Sequence, residues 1–341
     1  MAKKRVAVVG YGTIGERVAD GIVKQDDMEL AGVVDVAPTL PVRAVVESGK
    51  NYPIYCALPE KRKEMEKAGI PIKGLLEDLS KEVDIVVDAT SPGIGAKNKE
   101  IYMKYRLPAI FQAGEKRGIG DNIFYPMANY DECRKSRYLQ MFSCNTTGIA
   151  RQAFTCDGAF GLKEMFCAIV RRSADISETH KGPVDALLPS EIPSHQALDF
   201  SYVSPRIHVV TAVVTAPVCH GHATMMVFEI KRRATKEEVI EVFQKELRIR
   251  LFRLEDGFIS TSHIFDYNRD RGTSRGDMYE VPVWEETIYL DKEGMRIYST
   301  NMIPQEAIVV PENIDAIRCL LGLEKTAEET MAHTNRCLGM E

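Results

Sequence analysis

Residues 5–25, RVAVVGYGTIGERVADGIVKQ, join two periodicities: a continuous apolar run that reads as a buried strand, then apolar positions at helical spacing after a glycine turn. Four further apolar runs follow, MELAGVVDV at 28–36, EVDIVVDAT at 82–90, RLPAIFQAG at 106–114 and SRYLQMFSC at 136–144. Residues 44–69 are mixed and read as partly helical. Val/Ile-rich strands alternating with helical stretches predict a parallel sheet covered on both faces.

Beyond Cys144 the pattern changes. A helix over TTGIARQAFTCDGAF precedes longer strand-like runs at LKEMFCAIVRRSA, SPRIHVVTAVVTA, HATMMVFEIK and VPVWEETIYLDKEGMRIYSTN. KEEVIEVFQKELR is an amphipathic helix with Thr235 as its N-cap. Strands with helices segregated between them predict an α+β domain built on a largely antiparallel sheet. The tail from Pro311 is helical again and is expected to return to the first domain. The expected fold is therefore an α/β Rossmann-type domain, residues 1–142 completed by helices at about 310–341, plus an α+β domain over 143–309.

Composition narrows the function. A net charge of −5, from 44 basic and 49 acidic residues, without a basic block, does not favour nucleic acid or an anionic membrane. No run approaches the roughly twenty apolar residues of a membrane span, and the apolar start at residue 6 runs into the glycine turn too soon for a signal peptide. The eight cysteines show no CxxC and no paired spacing, which reads as reduced thiols in a cytoplasmic protein.

Gly10, Gly12 and Gly15 stand in GxGxxG spacing between strand and helix. That spacing allows a tight turn, a close backbone approach to a pyrophosphate and close helix packing, with the helix N–H groups facing the phosphates. Asp35 ends the next strand about 20 residues later, where a carboxylate takes the ribose hydroxyls of NAD and repels a 2′-phosphate. A nicotinamide dinucleotide is expected, NAD before NADP.

Cys144 falls where the fifth strand gives way to a helix, so the helix N-terminus would favour its thiolate. Asn145, Thr146 and Thr147 supply cap-competent side chains. His220 and His222, two apart at a strand start, are expected on one face as the source of a base. Cys219 beside them raises zinc, but no second spaced pair accompanies it and no metal is expected. Arg171, Arg172 and Lys181 offer anion recognition, with at most one of the adjacent arginines facing a common site. His195 sits in a Pro-bounded loop.

GYGTIGERVAD, FQAGEK, SCNTTG, VRRSAD, KGPV, IPSH, the HxH pair, EDGF and PQEAIVVPENIDAIR occur in order from residue 4 to the C-terminus. As an ordered set they resemble the archaeal-type (type II) phosphorylating glyceraldehyde-3-phosphate dehydrogenases. The resemblance implies a catalytic second domain and a homotetramer. It implies reversible oxidation of D-glyceraldehyde 3-phosphate with phosphate, serving glycolysis or gluconeogenesis. By position Cys144 matches the nucleophile and His220 the catalytic histidine. Ser143, Asn145, Thr147, His195 and Gln196 match substrate contacts, with Gln196 standing where a second histidine is frequent. Thr13, Ile14, Gly114, Arg172 and Gln305 match cofactor contacts.

The implied chemistry is a hemithioacetal on Cys144, then a thioester cleaved by phosphate, with His220 as base. Two rivals remain: a reductase of another acyl phosphate, of the aspartate-semialdehyde type, and a non-catalytic nucleotide-sensing protein.

Overall fold

Lys4–Val9 forms β1, fully buried over its second half, and α1 (Thr13–Val23) turns Val18, Ala19 and Ile22 inward. The computed structural model describes residues 2–112, 114–174 and 186–340. It divides into two units, Met1–Met141 with Val310–Glu341, and Phe142–Val309.

In the first unit the chain continues through β2 (Met28–Asp35), α2 (Leu40–Glu47), β3 (Ile54–Cys56), α3 (Pro59–Lys67), β4 (Ile72–Leu75) and α4 (Leu76–Leu79). Then come β5 (Ile85–Asp88), α5 (Ile94–Lys104), β6 (Ala109–Phe111), β7 (Asn122–Phe124), α6 (Pro126–Cys133) and β8 (Tyr138–Met141). The eight strands are all parallel, in the order β4-β3-β2-β1-β5-β6-β8-β7. Strand order reverses between β1 and β5. In such sheets a ligand crevice opens beyond the carboxyl ends at that reversal. The glycine turn lies there.

The second unit begins with α7 (Cys144–Phe160), β9 (Leu162–Arg172), β10 (Leu188–Pro189), α8 (His195–Val203), β11 (His208–Ala216) and β12 (His222–Ile230). It ends with α9 (Lys236–Lys245), β13 (Ile249–Phe252), α10 (Thr261–Asp270), β14 (Val281–Trp284), β15 (Tyr289–Leu290) and β16 (Arg296–Ile303). The sheet runs β10-β11-β9-β12-β16-β14-β13, with β15 on β16. Among the described residues, only β9/β11 and β13/β14 pair in parallel. The long helix α7 packs on β9, β12 and β16, which brings its N-terminus to the start of β12. Thr235 caps α9 in a reciprocal box with Glu238.

The chain closes with α11 (Val310–Leu321) and α12 (Ala327–Leu338), both in the first unit. Fully buried Arg318 fixes α11 there: Nη2 donates to Gln25 Oε1 at 2.8 Å, and Nη1 pairs with Asp27 and Glu324.

The fold class agrees with the sequence reading. The periodicity did not resolve β3, β4 and β7 as separate strands, because each is three or four residues long. So short a strand carries too few positions to show a period.

Candidate active site

The glycine turn is built by close approach. Gly10 has φ +84°, and a Cβ there would stand 2.7 Å from Thr90 N, across the β1/β5 reversal. A Cβ at Gly15 would meet the Gly10 carbonyl oxygen at 2.0 Å, so α1 leaves the turn with no room for a side chain. Gly12 instead faces open space and caps α1 without a side chain, with Thr13 and Ile14 opening the helix. This arrangement fits an anionic ligand at the helix N-terminus. Asp35 ends β2 beside the turn; its Oδ2 accepts from Tyr11 N–H at 3.2 Å and its Oδ1 from Val36 N–H at 2.6 Å. Burial raises its pKa, opposed by those main-chain donors. Gly114 follows β6 with φ +75°.

In the second unit Ser143 caps α7: its Oγ accepts from Thr146 N–H at 3.4 Å and lies 2.9 Å from Thr146 Oγ1. Cys144 is therefore the first residue of a 17-residue helix and is half-buried. Asn145 and Thr147 are buried, and Asn145 Oδ1 has no hydrogen-bond partner among the described residues. The helix field and the Arg172 and Arg171 guanidinium groups favour the thiolate. Burial outweighs them, pushing the thiol up to about 11.

The histidine that meets this sulfur is His222, not His220. His222 Nε2 lies 3.6 Å from Cys144 Sγ. His220 has its ring edge-on to Phe265, centroids 5.6 Å apart, and Nδ1 3.4 Å from Cys219 Sγ. Strand alternation was the wrong rule for this pair. Gly221 takes φ +76° and β12 begins only at His222, so the chain turns between the two rings.

His222 is nearly fully buried, and its Nδ1 accepts from the Arg172 main-chain N–H at 3.0 Å. A neutral ring that accepts at Nδ1 carries its proton on Nε2, the atom beside the sulfur. Burial first, then the Arg172 and Arg171 guanidinium groups, hold its pKa down to about 3. The pair is thus a thiol and a neutral imidazole donor.

Arg172 faces inward. Its Nη1 donates to Glu306 Oε1 at 2.6 Å and to the Cys219 carbonyl at 3.0 Å, with both charged side chains almost wholly buried. Arg171 points the other way, to a cavity of about 310 Å³ shared with Ser190, Ser194, His195 and Gln196. His195 opens α8 and is exposed, while Gln196 is buried with its Oε1 accepting from Ser194 Oγ at 2.5 Å. Desolvation lowers the His195 pKa, with Asp199 opposing the effect and Arg171 adding to it. Gln305 is half-buried just after β16, and Lys181 lies outside the described residues. Sequence reasoning missed Glu306, although it adjoins Gln305, because nothing in a sequence pairs it with Arg172.

Among the described residues, the groups that could hold a metal do not include Cys219, His220 and His222 together. Those that converge, Asp26–His333–Cys337 and Asp27–Glu324–His333, share their carboxylates with Arg336 and Arg318.

Residues 143–287 match the family model described as glyceraldehyde 3-phosphate dehydrogenase, C-terminal domain, and residues 4–113 match dihydrodipicolinate reductase, N-terminus. The glyceraldehyde-3-phosphate dehydrogenase of Methanothermobacter thermautotrophicus is 39% identical over 338 residues, covering 98% of this chain and 99% of its own. The chain belongs to the glyceraldehyde-3-phosphate dehydrogenase family. A further relative of that name, from Pyrobaculum neutrophilum, is 42% identical over 93% of this chain and 92% of its own. Among solved structures, aspartate semialdehyde dehydrogenase II of Vibrio cholerae has a TM-score of 0.65 at 17% identity, covering 94% of this chain and 99% of its own. That likeness is one of fold. Within the glyceraldehyde-3-phosphate dehydrogenase family, the chain is an NAD(P)-dependent dehydrogenase.

Proposed function

We propose that this protein catalyses the reversible, phosphorylating oxidation of D-glyceraldehyde 3-phosphate to 1,3-bisphosphoglycerate. The observation that carries the reading is Cys144 at the first turn of α7 with His222 Nε2 3.6 Å from its sulfur, in a chain of this family.

The thiol releases its proton to solvent and the thiolate adds to the aldehyde carbon, forming the S–C bond and moving the carbonyl pair onto oxygen. His222 Nε2–H and the N–H groups opening α7 are the donors for that oxyanion. A neutral imidazole, held neutral by burial and two arginines, suits a hydrogen-bond donor better than a base. A nicotinamide dinucleotide, when bound, supplies the hydride acceptor. As hydride leaves carbon, the oxyanion pair re-forms the carbonyl and Cys144 holds a thioester. Phosphate oxygen then displaces the sulfur and regenerates the thiolate. A thioester keeps the oxidation energy available for the acyl phosphate, which an oxygen ester would do poorly.

Ser143, Asn145 and Thr147 are assigned to the reacting end of the substrate, with Ser143 also holding the helix start. His195, Gln196 and Arg171 are assigned to its phosphate or to the attacking phosphate. Gly10, Gly12, Thr13, Ile14 and Gly15 would hold the pyrophosphate, Asp35 the ribose, and Gly114 the remainder of the dinucleotide. Arg172, expected as a cofactor contact, is assigned first to the support of His222.

Asp35 favours NAD over NADP, because a 2′-phosphate would face its carboxylate. Initial rates with glyceraldehyde 3-phosphate and with aspartate semialdehyde, each with NAD and with NADP, test both parts. The expected result is turnover of glyceraldehyde 3-phosphate with kcat/KM at least about tenfold higher for NAD. Turnover of aspartate semialdehyde alone would overturn the substrate, and an NADP preference would overturn the role of Asp35.

We assign a homotetramer as the working state, supported by an apolar row across one sheet face. Val210, Phe166, Val227 and Tyr298 are register neighbours on β11, β9, β12 and β16, and Phe166 is 41% exposed. Such a row is suited to a second copy, and a monomer in sedimentation velocity would remove this reading. No helix among the described residues is long and apolar enough to cross a membrane. We assign a cytoplasmic setting on the eight free cysteines, which suit a reducing compartment.

A further inference from the structure

We propose that Glu306 is a positioning residue of the active site: through Arg172 it holds the His222 ring and the loop that leads to it in place. The inference rests on Cys144 and His222 as the reacting pair and adds a residue that touches neither.

The support runs along a short chain of contacts. Glu306 Oε1 accepts from Arg172 Nη1 at 2.6 Å, and the two side chains are 4% and 1% exposed. The same Nη1 donates to the carbonyl of Cys219, three residues before His222. The Arg172 main-chain N–H then fixes the His222 ring at Nδ1. One residue therefore grips His222 from its ring and from the loop that delivers it, and Glu306 anchors that residue. The carboxylate thereby fixes where the buried guanidinium sits.

Charge adds support. Among the described residues, the charged groups acting on the Cys144 thiol are Arg172 and Arg171, at the end of β9, and Glu306, after β16; His222 from β12 is neutral. The arginines favour the thiolate and Glu306 opposes them. Removing the Glu306 charge should make the thiol more acidic while loosening the histidine. Reactivity and turnover then move in opposite directions.

The test is the pH dependence of Cys144 alkylation by iodoacetamide, mapped by peptide analysis, beside steady-state turnover. For Glu306→Gln the expected result is alkylation at pH 8 at least about threefold faster, from a lower pH midpoint. Its kcat should fall at least about tenfold. Glu306→Asp disturbs the same packing but keeps the charge, and should hold the parent midpoint with a several-fold lower kcat. An unshifted Glu306→Gln midpoint, or midpoints that move together in both variants, would overturn the proposal. If Glu306→Gln does not fold, Glu306→Asp decides alone: a shifted midpoint or an unchanged kcat overturns it. Loss of alkylation at Cys144 in the parent protein would instead remove the reading on which the proposal rests.

Discussion

Cys144→Ser should lower kcat for glyceraldehyde 3-phosphate at least about a thousandfold. Serine places a hydroxyl at the same helix start, so the fold and the Ser143 cap should survive. What disappears is chemistry. A hydroxyl is far less acidic than a thiol, so the attacking anion is scarce. An oxygen ester, once formed, resists phosphate more than a thioester does. Initial rates on folded protein, checked by thermal melting, measure the effect, and stoichiometric alkylation should be lost with the thiol. Near-parent turnover by the serine variant would exclude a covalent thioester.

His222→Ala should lower kcat by about 10²–10³, the usual cost of losing one donor to a developing oxyanion. His220→Ala should stay within about threefold of the parent, since that ring packs on Phe265 and Cys219. The two variants separate the structural assignment from the sequence expectation, which named His220. With His222 held near 3, no inflection from its titration should appear between pH 5 and 8. The rate should instead climb towards the thiol midpoint, at about 11. A larger loss at His220 than at His222, measured as kcat/KM on both variants, would reverse the assignment.

These two residues show where a sequence stops being readable. β1, the glycine turn and α1 could be read because continuous burial, close approach and helical spacing each leave a mark on residue type. The parallel sheet followed from Val/Ile runs for the same reason. The facing of His220 and His222 did not follow, because one positive φ at Gly221 undoes alternation, and φ is not written in the neighbouring side chains. Arg171 and Arg172 were expected to face apart, as adjacent strand residues do, and they do. Glu306, the partner of Arg172, comes from a segment far along the chain and is brought there by strand pairing, while His195 shares the Arg171 cavity from the start of α8. The thiol was expected to ionise easily at a helix start. Burial overrides the helix field, and burial is a property of the whole unit rather than of nine residues around Cys144.

The central claim is phosphorylating oxidation of glyceraldehyde 3-phosphate through Cys144. The most direct measurement is absorbance of the reduced nicotinamide on mixing the protein with glyceraldehyde 3-phosphate and NAD, with and without inorganic phosphate. The account predicts sustained turnover only with phosphate; without it, at most one equivalent should form per Cys144 before the thioester stalls. Sustained turnover in the absence of phosphate would mean that water cleaves the acyl-enzyme, and would contradict the account.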